Sequence, residues 1–368
     1  MNAGVQRFLL TNPPVAAPTL WWDRAPQFDP FGNAFTEAVP FAASLVPPAD
    51  PVLVPGREFD VTNLAEWNFR LNDPVNSLPG SHIRVLGTGW TGDTYLNDNG
   101  DQLIEFMDAG FAIDGAFSIN SVGVPVQRVR VQANAALAAA DWPTLHNGSS
   151  LIGGDFSAGT SDIVFEHVKM GSGFVWYGQQ WVRMALNQCS IFSAVGFSPF
   201  SSTHGPYYIL DCDILVDDGF GGAQCVNWGP NGLNSVMWRS FLETTGVQPA
   251  DVCWNLDGEG SRAAFCNNEV RGGKPFRMGN FTTNMEHYVL GNILRDAADD
   301  PVKASNPEVL HYLNNLSARD LTDWQAVMGA PTTETWVDYA GGAWNTNSWG
   351  GSSTPSAWRY GDPSLIPR

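Results

Sequence analysis

The chain has 368 residues, 43% of them hydrophobic and only 15% charged. It has enough apolar side chain for a sizeable core but must clothe its surface with Asn, Ser, Thr, Gly and aromatics rather than with ions. Its 37 acidic and 19 basic residues give a net charge of −18, which repels phosphate backbones and anionic lipid and argues against nucleic-acid and membrane partners.

The opening MNAGVQRFLLTNPPV has no apolar stretch behind a basic start, and no later stretch reaches the roughly 18 apolar residues of a spanning helix. No secretory signal peptide is therefore expected. Ten of the 25 prolines fall in residues 1–57, among Trp21, Trp22, Phe28, Phe31, Phe35 and Phe41, with no helical or strand period. A solvated linker lacks such large apolar side chains. Residues 1–57 are read as an extended docking arm, ordered by lying on its own fold or on a neighbouring subunit.

At Asn63 the pattern changes. Asn63 and Glu66 have the spacing of a capping box, and Leu64, Trp67 and Leu71 follow on one face, so a short helix is predicted, ending before Pro74. PGSHIRVLGTG then reads as a Pro-Gly turn and a strand, with Ile83 and Val85 alternating with polar residues. Gly87, Gly89 and Gly92 spell GxGxxG after that strand, but DTYLNDNGDQ cannot open the helix a pyrophosphate needs. NDNGD at 97–101 reads as a turn, because a calcium loop centred on Gly100 would place Tyr95 and Phe106 at its ligating ends. The histidines show no HExxH or similar metal spacing and no GxSxG elbow is present, so neither a metal nor a cofactor is expected.

The strongest signal is an internal repeat. Aligning DIVFEHVKM, ALNQCSIFS, ILDCDILVD, VMWRSFLET, FCNNEVRGG and VLGNILRDA brings Val168, Ile191, Ile214, Phe241, Val270 and Ile293 into one apolar column, with spacings of 23, 23, 27, 29 and 23 residues. A second apolar cluster follows each first one, at 174–176, 195–197, 225–228, 252–256 and 276–278. The extra residues of the longer coils, VDDGFGGA and ETTGVQPA, lie between the two clusters, where loops can grow without disturbing stacked strands. The runs are short, rich in Val, Ile, Phe and Trp, and separated by Gly, Asn, Asp and Ser, with no recurring amphipathic helix.

If that column points inward, the residues before it point outward: His167, Ser190, Asp213, Ser240, Glu269 and Asn292. Asp213 and Glu269 would lie two coils apart, near 10 Å, close to the separation of the acid and base of an inverting glycosidase. They are the catalytic candidates. Trp238 and His167, at outward positions, are the candidates for glycan contact. Lys169 and Arg271, four coils apart, are too distant to serve one sugar in a lyase. Cys189 and Cys212 occupy equivalent positions and would stack as small hydrophobes. Asn268, in the same column, could satisfy the turn backbone with its amide. The five cysteines, all between Cys189 and Cys266 and none in a CxxC pair, are read as reduced packing residues.

LTDWQAVMG, with Thr322, Gln325 and Gly329, is a candidate closing helix. Residues 331–368, rich in Gly, Ser and Thr with Trp336, Trp344, Trp349 and Trp358, form a C-terminal extension.

The capped helix NLAEWNFRL, the strand PGSHIRVLG and coil motifs such as FCNNEV and LGNIL resemble right-handed parallel β-helix proteins of the pectate-lyase-like superfamily. The resemblance covers residues 58–330 and implies an all-β, single-stranded parallel β-helix with short capping helices and extended terminal segments. Unexported β-helices with N-terminal arms look most like bacteriophage tail-spike, fibre or capsid-decoration proteins. That likeness implies a homotrimeric virion component, attached to other virion proteins through the arm and able to meet surface polysaccharide. The alternative is a polysaccharide lyase or glycoside hydrolase working in a groove of the β-helix.

Overall fold

The computed structural model describes residues 48–73, 75–97, 100–120, 126–145, 152–153, 160–170, 176–177, 182–193, 207–216, 224–228, 235–244, 252–256, 262–266, 268–271, 277–278, 286–290, 293–295, 302–303, 309–313, 316–317 and 335–337. Every strand pair among them is parallel, and the pairs build a single-stranded β-solenoid, as the repeat requires. One sheet has twelve strands, from Glu58–Val61 to Thr335–Val337, and is called the main sheet here. A second, of seven, runs from Lys169–Met170 to Leu316–Ser317. A third, of four, runs from Gln224–Trp228 to Val302–Lys303.

Consecutive main-sheet strands place like residues above one another. Ile83, Ile104, Val131, Phe165, Leu186, Ile209, Met237 and Phe265 form one inward column of a continuous core. The neighbouring positions point outward, as strand alternation demands. In the second sheet Ile191 pairs with Ile214, and both are buried, so the stacking on which the repeat depends is present.

The second-sheet column also corrects the alignment at three of its six members. Met170, Leu242 and Leu294 share the register of Ile191, Ile214 and Val270, in place of Val168, Phe241 and Ile293. The reason lies at the corner before each strand. Sequence matching followed the first apolar residue after the corner, whereas the backbone ladder fixes register from the corner itself, and a one-residue slip reverses a side chain. The second apolar clusters at 225–228, 252–256 and 276–278 do stack, with Val226 beside Trp254 and Leu256 beside Met278. The two insertions connect second-sheet to third-sheet strands, as expected. The cluster at 195–197 and the LTDWQAVMG segment lie outside the described residues.

The first coil is closed by the helix Leu64–Leu71. Asn63 accepts the Glu66 amide at 3.0 Å, while the Glu66 carboxylate reaches one residue past the box to take the Thr62 amide at 2.7 Å and its hydroxyl at 2.8 Å. Trp67 is fully buried, wedged against Trp90 and Phe117, and its indole N–H donates to the Tyr95 carbonyl at 2.6 Å. No helix among the described residues is long and apolar enough to cross a membrane.

The GxGxxG glycines serve the stack. Gly89, at φ +128°, begins the strand Gly89–Thr91, and a Cβ there would sit 1.9 Å from the Ala112 carbonyl oxygen of the next coil. The strand Thr94–Asn97 follows in place of a nucleotide-binding helix. At the far end the main sheet takes in Thr335–Val337, so its last strand falls within residues assigned from sequence to the extension.

Truncating Ile214 to Ala should open a cavity between two coils and cost about 2–5 kcal/mol of unfolding free energy, measured by denaturant titration. A loss below about 1 kcal/mol would show that the second-sheet column does not carry the core.

Candidate functional site

The corner between the main and second sheets repeats in four successive coils. His167, Gln188, Asp211 and Arg239 all have left-handed backbone, with φ of 56°, 51°, 55° and 49°. Such a conformation costs a non-glycine residue about 1–2 kcal/mol, and here each amide is locked to the following coil. His167 donates to Asn187 O, Gln188 to Leu210 O, Asp211 to Trp238 O and Arg239 to Cys266 O, at 2.9–3.2 Å.

The next residue at each corner points inward, and its amide would be buried without a strand partner. At the last three of these corners the side chain one coil further on takes it. Cys212 sulfur faces the Cys189 amide, Ser240 Oγ accepts the Cys212 amide at 3.1 Å, and Asn268 Oδ1 accepts the Ser240 amide at 2.8 Å. Asn268 Nδ2 then donates to the Met237 carbonyl at 3.2 Å. The expected stack of Cys189, Cys212 and Asn268 is thus present, with Ser240 between them and Val168 leading; Glu166 and Arg239 belong to neighbouring columns. Burial and the adjacent Cys189 thiol push the Cys212 thiol well above its usual pKa. Cys189, Cys212 and Cys266 are buried free thiols.

The outward candidates divide between two faces. Ser190, Asp213, Phe241 and Glu269 share one column of the second sheet, so Asp213 and Glu269 are two strands apart with Phe241 between them. Asp213 is 3% exposed and Phe241 2%. Trp238 is on the outer side of the main sheet, also 3% exposed, with its indole N–H buried and lacking an acceptor. His167 is half-buried at its corner, three coils from Trp238. Its ring stacks on Trp142 at 4.9 Å and 24°, and its Nε2 contacts the Gln188 amide oxygen. The structure thus places Asp213 and Glu269 in one column and keeps Trp238 and His167 apart. Asn292 lies outside the described residues.

Sequence reading missed an acid–base ladder up the outer side of the main sheet. Arg128 grips Asp101 through two nitrogens at 2.5 and 2.6 Å, and Arg183 grips Asp162 at 2.5 and 2.7 Å. In the adjacent columns Arg130 bonds Glu166 at 3.0 Å, and the Asn187 amide joins Glu166 at 2.7 Å. Burial pushes the Asp162 carboxyl above its usual pKa, against the opposing pull of Arg183, the Ala49 amide and Arg128. The signal was present in RVRV, DIVFE and RMALN, whose outward charges alternate in sign once the strands are stacked.

Residues 48–54 are fastened to this ladder. The Val54 amide donates to the Gly80 carbonyl at 2.8 Å, the Val52 amide to Asp101 at 3.1 Å, and Asp50 accepts from Arg130 at 3.3 Å. Gly80 has φ +77°, and a Cβ there would meet Val54 Cγ2 at 2.7 Å and the Val52 carbonyl at 3.0 Å.

Comparison with protein-family models, with curated proteins and with solved structures finds no match. What the structure shows is the parallel β-solenoid itself. Among the described residues no group of three His, Cys, Asp or Glu side chains could hold a metal ion.

Asn268→Ala should strand the buried Ser240 amide and cost about 1–3 kcal/mol, and Asn268→Asp, which adds a buried charge and turns an oxygen toward the Met237 carbonyl, should lose at least as much. A loss below about 0.5 kcal/mol for Asn268→Ala on chemical denaturation would refute the ladder. Gly80→Ala should destabilise by more than about 1 kcal/mol through strain and the collision with residues 52–54. An unchanged melting temperature would show that this segment can lift without consequence.

Proposed function

We propose that the chain is a structural and adhesive component of an extracellular particle, of the tail-spike, fibre or capsid-decoration kind. On this reading it works as a homotrimer attached to other virion proteins through the first part of its N-terminal arm. The observation that carries the proposal is the closure of the solenoid's outer faces around the candidate residues. Asp213, Phe241 and Trp238 are each at most 3% exposed, so a sugar laid on this part of the solenoid would not reach them. Rods built from stacked coils suit load-bearing, because each coil is hydrogen-bonded to the next along its length.

The lyase or glycosidase reading draws less support. It needs a sugar to reach Asp213 and Glu269 together, and Asp213 is buried beside Phe241. Glycan contact fits better at the corner where Trp142 stacks on His167, since flat half-exposed rings beside the Gln188 amide offer both stacking and hydrogen bonding to a sugar.

The full chain should sediment at about three times its 39.9 kDa mass and should release no sugar from surface polysaccharide of the host cell. Trp142→Ala should weaken retention on that polysaccharide about tenfold, as loss of one stacking contact of about 1–1.5 kcal/mol implies. A monomer whose sugar release disappears in Asp213→Asn or Glu269→Gln would transfer the protein to the enzyme class.

A further inference from the structure

The segment 48–54 runs along the axis of the stack instead of beside a strand. Its contacts at Val54, Val52, Asp50 and Ala49 fall on Gly80, Asp101, Arg130 and Asp162, which belong to four successive main-sheet coils. Followed toward the N-terminus, the chain climbs the outer face and stands at the Asp162 coil when it reaches Pro48, which is buried.

Beyond that point the face changes character. Below, its outward residues include His82, Arg84, Leu103, Glu105, Arg128 and Arg130, mostly charged and all in contact with solvent. Above, the central outward column reads Val164, Ala185, Tyr208, Val236 and Ala264, every one 0% exposed. Beside it Leu210, Trp238 and Cys266 are at most 4% exposed. Val164, Tyr208, Val236 and Trp238 are as buried as core residues, yet they stand outside the interior cluster, on the opposite side of the sheet. One copy of the chain buries them, so the cover belongs to the same chain.

Length and composition choose the cover. Seven main-sheet strands lie beyond Thr160–Glu166. They stack over about 34 Å, which extended chain spans in roughly ten residues. The thirteen residues before Pro48, FTEAVPFAASLVP, carry a single charge, at Glu37, and offer Phe35, Val39, Phe41, Leu45 and Val46. The C-terminal extension leaves from the far end of the sheet after Thr335–Val337; its residues 338–368 are rich in glycine and serine and carry four charges, at Asp338, Arg359, Asp362 and Arg368. The arm is already bound to this face and directed along it.

We propose that residues 35–47 continue the strap over the outer face of the main sheet, covering Val164, Ala185, Tyr208, Val236 and Ala264 within their own chain. Only residues 1–34, with Trp21, Trp22, Phe28 and Phe31, are then left to meet a partner. The strap also removes this face from any contact between subunits. The inference stands on packing alone and holds whether or not the chain belongs to a particle.

The test places a photo-reactive benzoylphenylalanine at Phe41 of the full chain, outside the β-helix, and irradiates a mixture of isotope-labelled and unlabelled protein. Peptide mapping should find the probe joined to main-sheet segments between residues 160 and 266, with labelled peptides paired only to labelled and unlabelled only to unlabelled. Capture of residues 338–368 would overturn the proposal, as would mixed labelled–unlabelled pairs or no product on the main sheet.

Discussion

A solenoid corner must turn the chain without abandoning a buried amide, and the rest of this structure depends on how that is done. Each inward corner residue has an N–H that faces no strand, and leaving one such group unsatisfied costs about 1–3 kcal/mol. The side chain one coil further on receives it, from Cys212 to Ser240 to Asn268. The left-handed residue before it bonds forward as well, so the backbone cost of each corner is met by the next. Register between strands then follows, because a corner can be satisfied in only one alignment with its neighbour.

The core and the outer faces rest on different physics. Inside, columns such as Ile104, Val131, Phe165 and Leu186 contribute burial of about 1.5–3 kcal/mol per side chain. Outside, the lower main sheet is held by alternating Asp and Arg, gripped two-pronged and partly shielded from water, a geometry that makes ion pairs more than surface ornament. The same ladder gives residues 48–54 their anchor: Asp101 and Asp162 each serve an arginine and a strap amide together. A chain with few charges has concentrated several of them where they tie its beginning to its body.

On the proposed reading the N-terminal arm has two parts with different tasks. The portion next to the β-helix belongs to the fold, pinned by backbone hydrogen bonds and by the close approach at Gly80. The distal aromatic portion has the composition of a docking segment. If the distal part docks as proposed, a stiff body fastened at residues 48–54 would suit a component that transmits force from its attachment point.

The sequence alone determined the architecture, the capping helix at Asn63, the stacking of Ile191 on Ile214 and the role of Asn268, because a period near 23 with strand-type runs and turn residues admits few solutions. It could not fix the exact register at Met170, Leu242 and Leu294, since apolar residues on both sides of a corner look alike in a string of letters. Nor could it reveal the Asp101–Arg128 and Asp162–Arg183 pairs, which arise only when residues 21 or 27 positions apart are brought side by side. The burial of Asp213 and Trp238 was equally a matter for the tertiary structure: alternation tells which face of a strand a residue occupies, but whether that face meets water depends on what other part of the chain lies across it.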